Sequence, residues 1–337
     1  MSAASVWAEI RATAAHDAGW HGRRVDNLPG VPLLYAIRQP GGVPALLVEM
    51  SAAAVPPISE YPAAEGFRVA PEAITLGPRG RIRLCLMLTD DRYQDVFAVL
   101  VDDVVSAIHE RTSEDNVIRA LLARLHVWQV FMRRHGPNEL GPEQQTGLVA
   151  ELMFLRDWPM RLLTSQTAVE AWNGPDGAPQ DFSFPNVAVE VKATLATTPT
   201  ELSISSIEQL DSRACSVPIV LCCTKVTLLL TGGITLPELV DEILARLSQE
   251  DPAAHSLFED RLLAAGYVEA HAERYSARHY SQPSMEFYRV EGEFPRIERV
   301  DVRSGVASCS YTIRLPEAAP FRLADTELEN ALRTVPQ

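Results

Sequence analysis

Apolar and polar positions change period several times along this chain. Residues 2–17 carry apolar side chains at helical spacing and predict a short amphipathic helix. From Pro32 to Leu88 the apolar runs shorten. Leu33–Ile37, Ala45–Met50 and Ile82–Leu88 read as strands, separated by turn signals at Gly41-Gly42 and Pro78–Gly80. Helical spacing returns from Asp91 to about Arg111. A second helix starts after Thr112-Ser113, with Ile118, Leu121, Leu122, Leu125 and Trp128 on one stripe, and Gly136-Pro137 stops it. A third runs from about Glu143 to Trp158. Short strands are then expected at Thr167–Trp172, Asp181–Phe184 and Val187–Ala193, a short helix at Ser206–Asp211, and a buried strand from Val217 to about Leu229. Two more helices (Leu236–Leu247 and Ala254–Ala265) and strands at Glu286–Val290 and Ser308–Leu315 complete the pattern.

This is the pattern of an α/β, more closely α+β, protein. We divide it into a β-rich and helical N-terminal region (1–112), a core (113–250) and a C-terminal α+β extension (251–337). The first region is expected to bind substrate or partners.

The strand Val187-Ala188-Val189-Glu190-Val191-Lys192 carries the clearest chemistry. Side chains alternate between strand faces, so the three valines share one face while Glu190 and Lys192 share the other. Asp181 stands nine positions before Glu190, across the turn Phe184-Pro185-Asn186, and a hairpin can bring the two carboxylates together. Mg²⁺ takes oxygen ligands and keeps several waters, so Asp181, Glu190 and the Val191 carbonyl are candidate ligands. Such an ion binds a phosphate oxygen and lowers the pKa of a water. Lys192 is the candidate to orient that water or to stabilise developing charge. Read alone, Glu-x-Lys on a strand is weak evidence and is far more often an ordinary surface ion pair.

Three neighbours change that picture. At ~100° per residue, Gln144, Leu148, Glu151 and Leu155 fall within one arc of the preceding helix. Glu151 therefore sits on or beside the buried stripe, where an unpaired carboxylate is costly. Trp172-Asn173-Gly174-Pro175 closes the preceding segment just ahead of Asp181. After the lysine strand, Ser205 or Ser206 can cap a short helix and place Gln209 near the active face, as a phosphate or water contact or as a plain cap.

Composition sharpens one residue and complicates the reading. Thirty residues are Lys or Arg, and only Lys192 and Lys225 are lysine. Arginine is a wide fork that keeps its proton, whereas lysine is a compact charge whose pKa can move. The net charge of −14 argues against a free-standing non-specific nucleic-acid binder. Residues 141–212 alone hold ten acids and three bases. Candidate contacts for a nucleic acid are therefore sought elsewhere: Arg79, Arg81 and Arg83 on one strand face, and Arg133 with Arg134 at a helix end. The five cysteines show no CxxC spacing, so neither a disulfide framework nor a zinc site is indicated. No signal peptide is expected in MSAASVWAEIRA, and the apolar run Val217–Leu230 is broken by Lys225 and too short to span a bilayer. A cytoplasmic location with no membrane contact is expected.

Asp181 followed by Glu190-Val191-Lys192 resembles the PD-(D/E)XK nuclease superfamily. The element order from residue 141 to 229 is similar to its restriction-endonuclease-like αβββαβ core. The set GLVAEL, WNGP, DF, VEVK and ISSIEQL is similar to one bacterial group of PD-(D/E)XK motif proteins, often encoded beside phage-defence or restriction components. The resemblance implies Asp181 and Glu190 as metal ligands, Lys192 as the catalytic lysine and Glu151 as a further acidic member. Gln209 corresponds to polar helix residues of some nucleases. Gln180 stands where the motif's proline would, a position the superfamily lets vary. The resemblance further implies a Mg²⁺-dependent (Mn²⁺-tolerant) endonuclease acting on DNA, or RNA, with defence-system partner proteins and a homodimer as an allowed state. The alternative is an inert nuclease-like subunit that binds nucleic acid or partners, since the superfamily contains such members.

Overall fold

The alternating apolar runs between residues 33 and 88 form strands because each buries one face and pairs antiparallel with its neighbour. The computed structural model describes residues 2–13, 17–25, 31–74, 80–109, 111–281 and 284–333. It divides into two units: Met1–Glu139 with Val268–Ala270, and Leu140–Tyr267 with His271–Gln337. The helix expected to open the core belongs to the first unit, and the C-terminal segment belongs with the core in the second.

The first unit contains α1 (Ala3–Thr13), β1 (Gly19–Arg24), β2 (Leu33–Gln39), β3 (Val43–Ser51), β4 (Phe67–Ala73), β5 (Arg81–Leu88), α2 (Gln94–Ile108) and α3 (Glu114–His135). The sheet order is β1-β2-β3-β5-β4, antiparallel throughout. Edge strands β1 and β4 had no apolar signature in the sequence. β1 is mostly polar and exposed, and β4 carries Pro71, which an edge strand tolerates. Helix α3 begins where expected: the Ser113 side chain accepts a hydrogen bond from Asn116 N–H. It ends at Gly136, whose φ of 68° a side chain would strain.

The second unit opens with α4 (Pro142–Asp157), α5 (Pro159–Leu162) and α6 (Ser165–Ala171), then β6 (Phe182–Ser183), β7 (Ala188–Thr194), β8 (Glu201–Ile204), β9 (Ile219–Lys225) and β10 (Leu228–Leu229). There follow α7 (Leu236–Glu250), α8 (Pro252–Ala264), α9 (Ala272–Tyr275), β11 (His279–Tyr280), β12 (Ser284–Arg289), β13 (Tyr311–Arg314), α10 (Leu315–Ala318), β14 (Arg322–Leu323) and α11 (Asp325–Arg333). The central sheet is β14-β12-β9-β7-β6, with β7 and β9 parallel and its other pairs antiparallel. Strands β8 and β13 form a separate ribbon, as do β10 and β11.

Three local expectations are corrected. Thr167–Trp172 is helix α6 with a trailing residue rather than a strand. The Thr164 side chain caps it, and Ser165, Ala168 and Val169 are buried at helical spacing. Only a single bridge, Trp172 to Phe182, is strand-like. The helix expected at Ser206–Asp211 is a single 3₁₀ turn, Ile207–Gln209. The long strand from Val217 splits between the central sheet and the β10 ribbon. The expected order of helix, three strands, helix and strand is therefore not kept as read: α5 and α6 stand between α4 and β6, and the third strand is β8, which was not expected and lies outside the central sheet. The unit is mixed α+β.

Both faces of this sheet are covered. Val189, Val191, Val220, Cys222 and Phe287 join Leu148, Leu152 and Leu155 of α4 and Leu239 and Ile243 of α7 in the larger core. Ala188, Leu221, Cys223 and Tyr288 pack with Leu202, Ile204 and Ile313 of the β8–β13 ribbon. Burial pushes the Cys222 thiol far up and the Cys223 thiol to about 11, so both are inert apolar fillers. Among the described residues no helix is long and apolar enough to cross a membrane.

Candidate functional site

Strand alternation and hairpin register assemble the acidic centre. On β7, Val189 and Val191 enter the helical core, which leaves Glu190 and Lys192 on the opposite face. Phe182 pairs with Val189 across the β6–β7 hairpin. One more residue of that register sets Asp181 across from Glu190, where cross-strand side chains meet. Asp181 Oδ2 accepts a hydrogen bond of 2.7 Å from Val191 N–H, between Glu190 and Lys192. Lys192 Nζ lies 2.7 Å from Glu190 Oε1. The ammonium is the one donor at Glu190 among the described residues, and Oε2 has none. Glu190 is 0% exposed.

Glu151 joins from α4. Its Oε2 accepts a 2.8 Å hydrogen bond from the indole N–H of Trp172, itself wholly buried. Part of the Glu151 and Asp181 surface stays open to solvent, while both carboxylates sit among protein atoms. The turn after Trp172 seats Asp181: Asn173 and Gly174 N–H donate to its carbonyl at 2.8 and 2.9 Å. A Cβ on Gly174 would stand 2.9 Å from Asp181 Oδ1 and 3.2 Å from its Cα, so this approach requires glycine.

Three carboxylates around one ammonium cannot all ionise cheaply. Burial, then the Asp181 charge, pushes Glu151 up to about 8, against the opposing pull of Trp172 and Lys192. Burial lifts Asp181 to about 6 although Val191 N–H and Lys192 hold it down. Burial and Asp181 push Glu190 well above the usual carboxylate range, more than Lys192 offsets.

The donor set suits a hard divalent cation. Glu190 offers two buried oxygens of which only one meets a donor, Lys192, Asp181 faces it, and the three acids exceed the local positive charge by two when ionised. No group of three acid, His or Cys side chains among the described residues is close-set enough to hold a metal outright. Glu151 and Asp181 each give an oxygen to a protein donor. Mg²⁺ bound by two carboxylates with waters completing its shell needs no third ligand side chain, so the residues fit.

The remaining candidates lie elsewhere or do other work. Gln209 Oε1 accepts from Ser205 and Ser206 N–H at 2.9 and 3.4 Å, so this oxygen caps its own turn. The buried Gln180, just before Asp181, reaches that turn by donating to the carbonyls of Glu208 and Gln209. Arg79 lies outside the described residues. Arg81 and Arg83, in the first unit, pair with Glu114 and Glu49 at 2.8 and 2.6 Å and are neutralised there. Arg133 and Arg134 are exposed in the last turn of α3. Sequence reasoning missed Trp172 as the donor to Glu151 and gave no hint of Arg261, whose guanidinium grips the carbonyls of this turn.

The mixed α+β architecture of this unit is consistent with a nuclease-like fold. The family described as "Putative PD-(D/E)XK family member, (DUF4420)" matches residues 3–316, and the chain belongs to it. No curated protein and no solved structure matches the chain.

Proposed function

We propose that this protein is a Mg²⁺-dependent endonuclease that cuts DNA, working with partner proteins in a restriction or anti-phage defence system. One observation carries the reading: a fully buried glutamate across from Asp181, with Lys192 2.7 Å from one oxygen and no donor at the other among the described residues. Isolated buried charge costs several kcal/mol or is neutralised, and this site keeps three acids together instead. Such an arrangement has a use when a cation enters.

Asp181, Glu190 and the Val191 carbonyl would hold the ion, with Glu151 as a further acid. A bound Mg²⁺ supplies Lewis acidity toward a phosphate oxygen and a water of lowered pKa. The protein's own part is positional. Val191 N–H fixes the Asp181 carboxylate, Trp172 fixes Glu151, and the closed core behind Glu190 keeps water from competing for it. Lys192 is partly open, with 15% of its side chain exposed, and is the group left to face substrate. Its point charge is suited to stabilise charge growing on a phosphate or to hold the attacking water. The defence role and the partners rest on the resemblance to proteins encoded in that setting and on the excess of acids over bases in residues 141–212.

The test incubates pure protein with plasmid, linear and single-stranded DNA in Mg²⁺, in Mn²⁺ and in chelator, beside Lys192→Ala. Metal-dependent cleavage lost in Lys192→Ala is expected. Absence of cleavage under every condition favours the inert nuclease-like subunit. Cleavage unchanged in Lys192→Ala assigns the activity to another site.

A further inference from the structure

Arg261, on α8, is a buried cation without a close carboxylate. It is 8% exposed, and the nearest ion-pair partner, Asp176 Oδ2, stands 3.7 Å away. Its two terminal nitrogens go to main-chain and amide oxygens instead. One donates to the carbonyls of Val169, Glu170 and Trp172, and the other donates to Asn173 Oδ1 at 2.9 Å. The Val169 carbonyl also accepts the capping N–H of Trp172, and a cation at this end of α6 meets the negative end of its dipole. Phe258, also on α8, packs its ring 5.7 Å from that of Trp172.

The residues that Arg261 grips by their acceptors hold the acidic centre by their donors. Trp172 gives its carbonyl to Arg261 and its indole N–H to Glu151. Asn173 gives its side-chain oxygen to Arg261 and its N–H to the Asp181 carbonyl, beside Gly174 N–H. We propose that Arg261 is a positioning residue for the acidic centre: it locks residues 169–174 and, through them, the placement of Asp181 and Glu151. A lysine at 261 keeps the charge but lacks the planar fork that reaches these four acceptors. The inference rests on the proposed cation site for its functional consequence, while the lock itself is testable without any cation.

The experiment uses the full chain. Wild type, Arg261→Lys, Arg261→Met, Asn173→Ala and a control, Arg246→Met, are compared. Arg246 also ties a helix to a carbonyl in this unit, that of Met160, and donates to Glu250, with no hydrogen bond to residues 169–174 among the described residues. Hydrogen exchange in chelator reads the Trp172 indole and the Asn173 and Gly174 amides. Mn²⁺ titration, followed by the paramagnetic signal of the free ion, reads affinity well below each variant's melting temperature. The expected result is exchange at those three groups at least ~10-fold faster in the Arg261 variants, and Mn²⁺ affinity ~10- to 100-fold weaker, the range for lost support behind a metal ligand. Arg246→Met should lower the melting temperature and leave both readings unchanged. If Arg261→Met does not fold, Arg261→Lys and Asn173→Ala carry the comparison. Exchange and affinity within twofold of wild type in a folded Arg261 variant overturn the lock. Wild type that binds no Mn²⁺ while the exchange pattern holds overturns the cation reading instead.

Discussion

Replacing Asp181 with Asn removes one charge from the acidic centre and leaves an oxygen to accept the Val191 N–H. The consequences depend on where the carboxyls titrate in the metal-free protein. Glu151 is pushed from 4.5 to about 8, Asp181 from 3.8 to about 6, and Glu190 well above 4.5. A carboxyl raised on folding holds its proton in the native state where the unfolded chain has lost it. Stability is therefore fully present below the unfolded values, near pH 4, and is lost as pH rises toward 8. Moving one carboxyl from 4.5 to about 8 is worth on the order of 5 kcal/mol, and from 3.8 to about 6 on the order of 3 kcal/mol. The three titrate together, so these figures overlap rather than add. Asp181→Asn removes its own share and the repulsion it exerts on both glutamates. The wild-type and variant melting profiles in chelator should lie closest near pH 5 and separate by ~3 kcal/mol at pH 8, with the variant more stable. At ~2–4 °C per kcal/mol for a unit of this size, the gap is on the order of 10 °C. Scanning calorimetry from pH 5 to 8.5 measures it. Mg²⁺ should restore wild-type stability more at pH 8 than at pH 6, because the ion competes with protons for the same oxygens. Parallel profiles for the two proteins, or an equal Mg²⁺ gain in Asp181→Asn, would overturn this account of the acidic centre.

The two lysines separate by function. Lys192→Arg should abolish cleavage of plasmid with the melting temperature little changed, whereas Lys225→Arg should cut normally, since Lys225 is spent on Glu286 at 2.8 Å. Gly174→Ala forces a methyl to within 2.9 Å of Asp181 Oδ1 and should cost ~1–3 kcal/mol of stability in denaturant melts, with Mn²⁺ affinity at least ~10-fold weaker by calorimetric titration. Gln209→Ala removes a cap and should cost ~1 kcal/mol in the same melts with no change in cleavage rate. Binding of labelled duplex to Lys192→Ala in Mg²⁺ should show a shallow salt dependence, with a log–log slope corresponding to roughly two or fewer phosphate contacts. A slope of six or more would reveal a basic surface that the chain's ion pairs conceal.

The legible part of this protein is the part that depends on local spacing. Period-two alternation along Val187–Lys192 fixed which face carries Glu190 and Lys192, because three valines have only one apolar side to enter. The helical arc through Leu148 and Leu155 identified Glu151 for the same reason. Residues 167–172 misled because Thr-Ala-Val-Glu-Ala-Trp fits both periods. What decides it is the Thr164 cap and the burial of Ser165, Ala168 and Val169 on one side of a helix. Strand β8 had no visible cause in its own four residues, since its partner β13 lies over a hundred positions later. The grip of Arg261 reaches across 88 to 92 positions and goes mostly to the main-chain carbonyls of Val169, Glu170 and Trp172, which every residue has, so no side-chain pattern could betray it.

The ion pairs refine the charge argument. Within residues 141–212 the three bases are Arg156, Arg161 and Lys192, and each meets an acid: Asp157 at 2.7 Å, Glu329 at 2.9 Å and Glu190 at 2.7 Å. Arg81 and Arg83 of the first unit are matched in the same way. Pairs that are partly exposed contribute little stability, so their chief effect is to cancel the field that would attract a polyanion. The Glu190–Lys192 pair differs from the others because its acid is wholly buried and made costly by two further carboxylates. A divalent cation would satisfy Glu190 better than one ammonium does. Lys192 would then have no acid to answer and would face outward as a positive charge. Under the proposed function the attraction for phosphate would be created when the ion binds, and the rest of the substrate's affinity would fall to partner proteins.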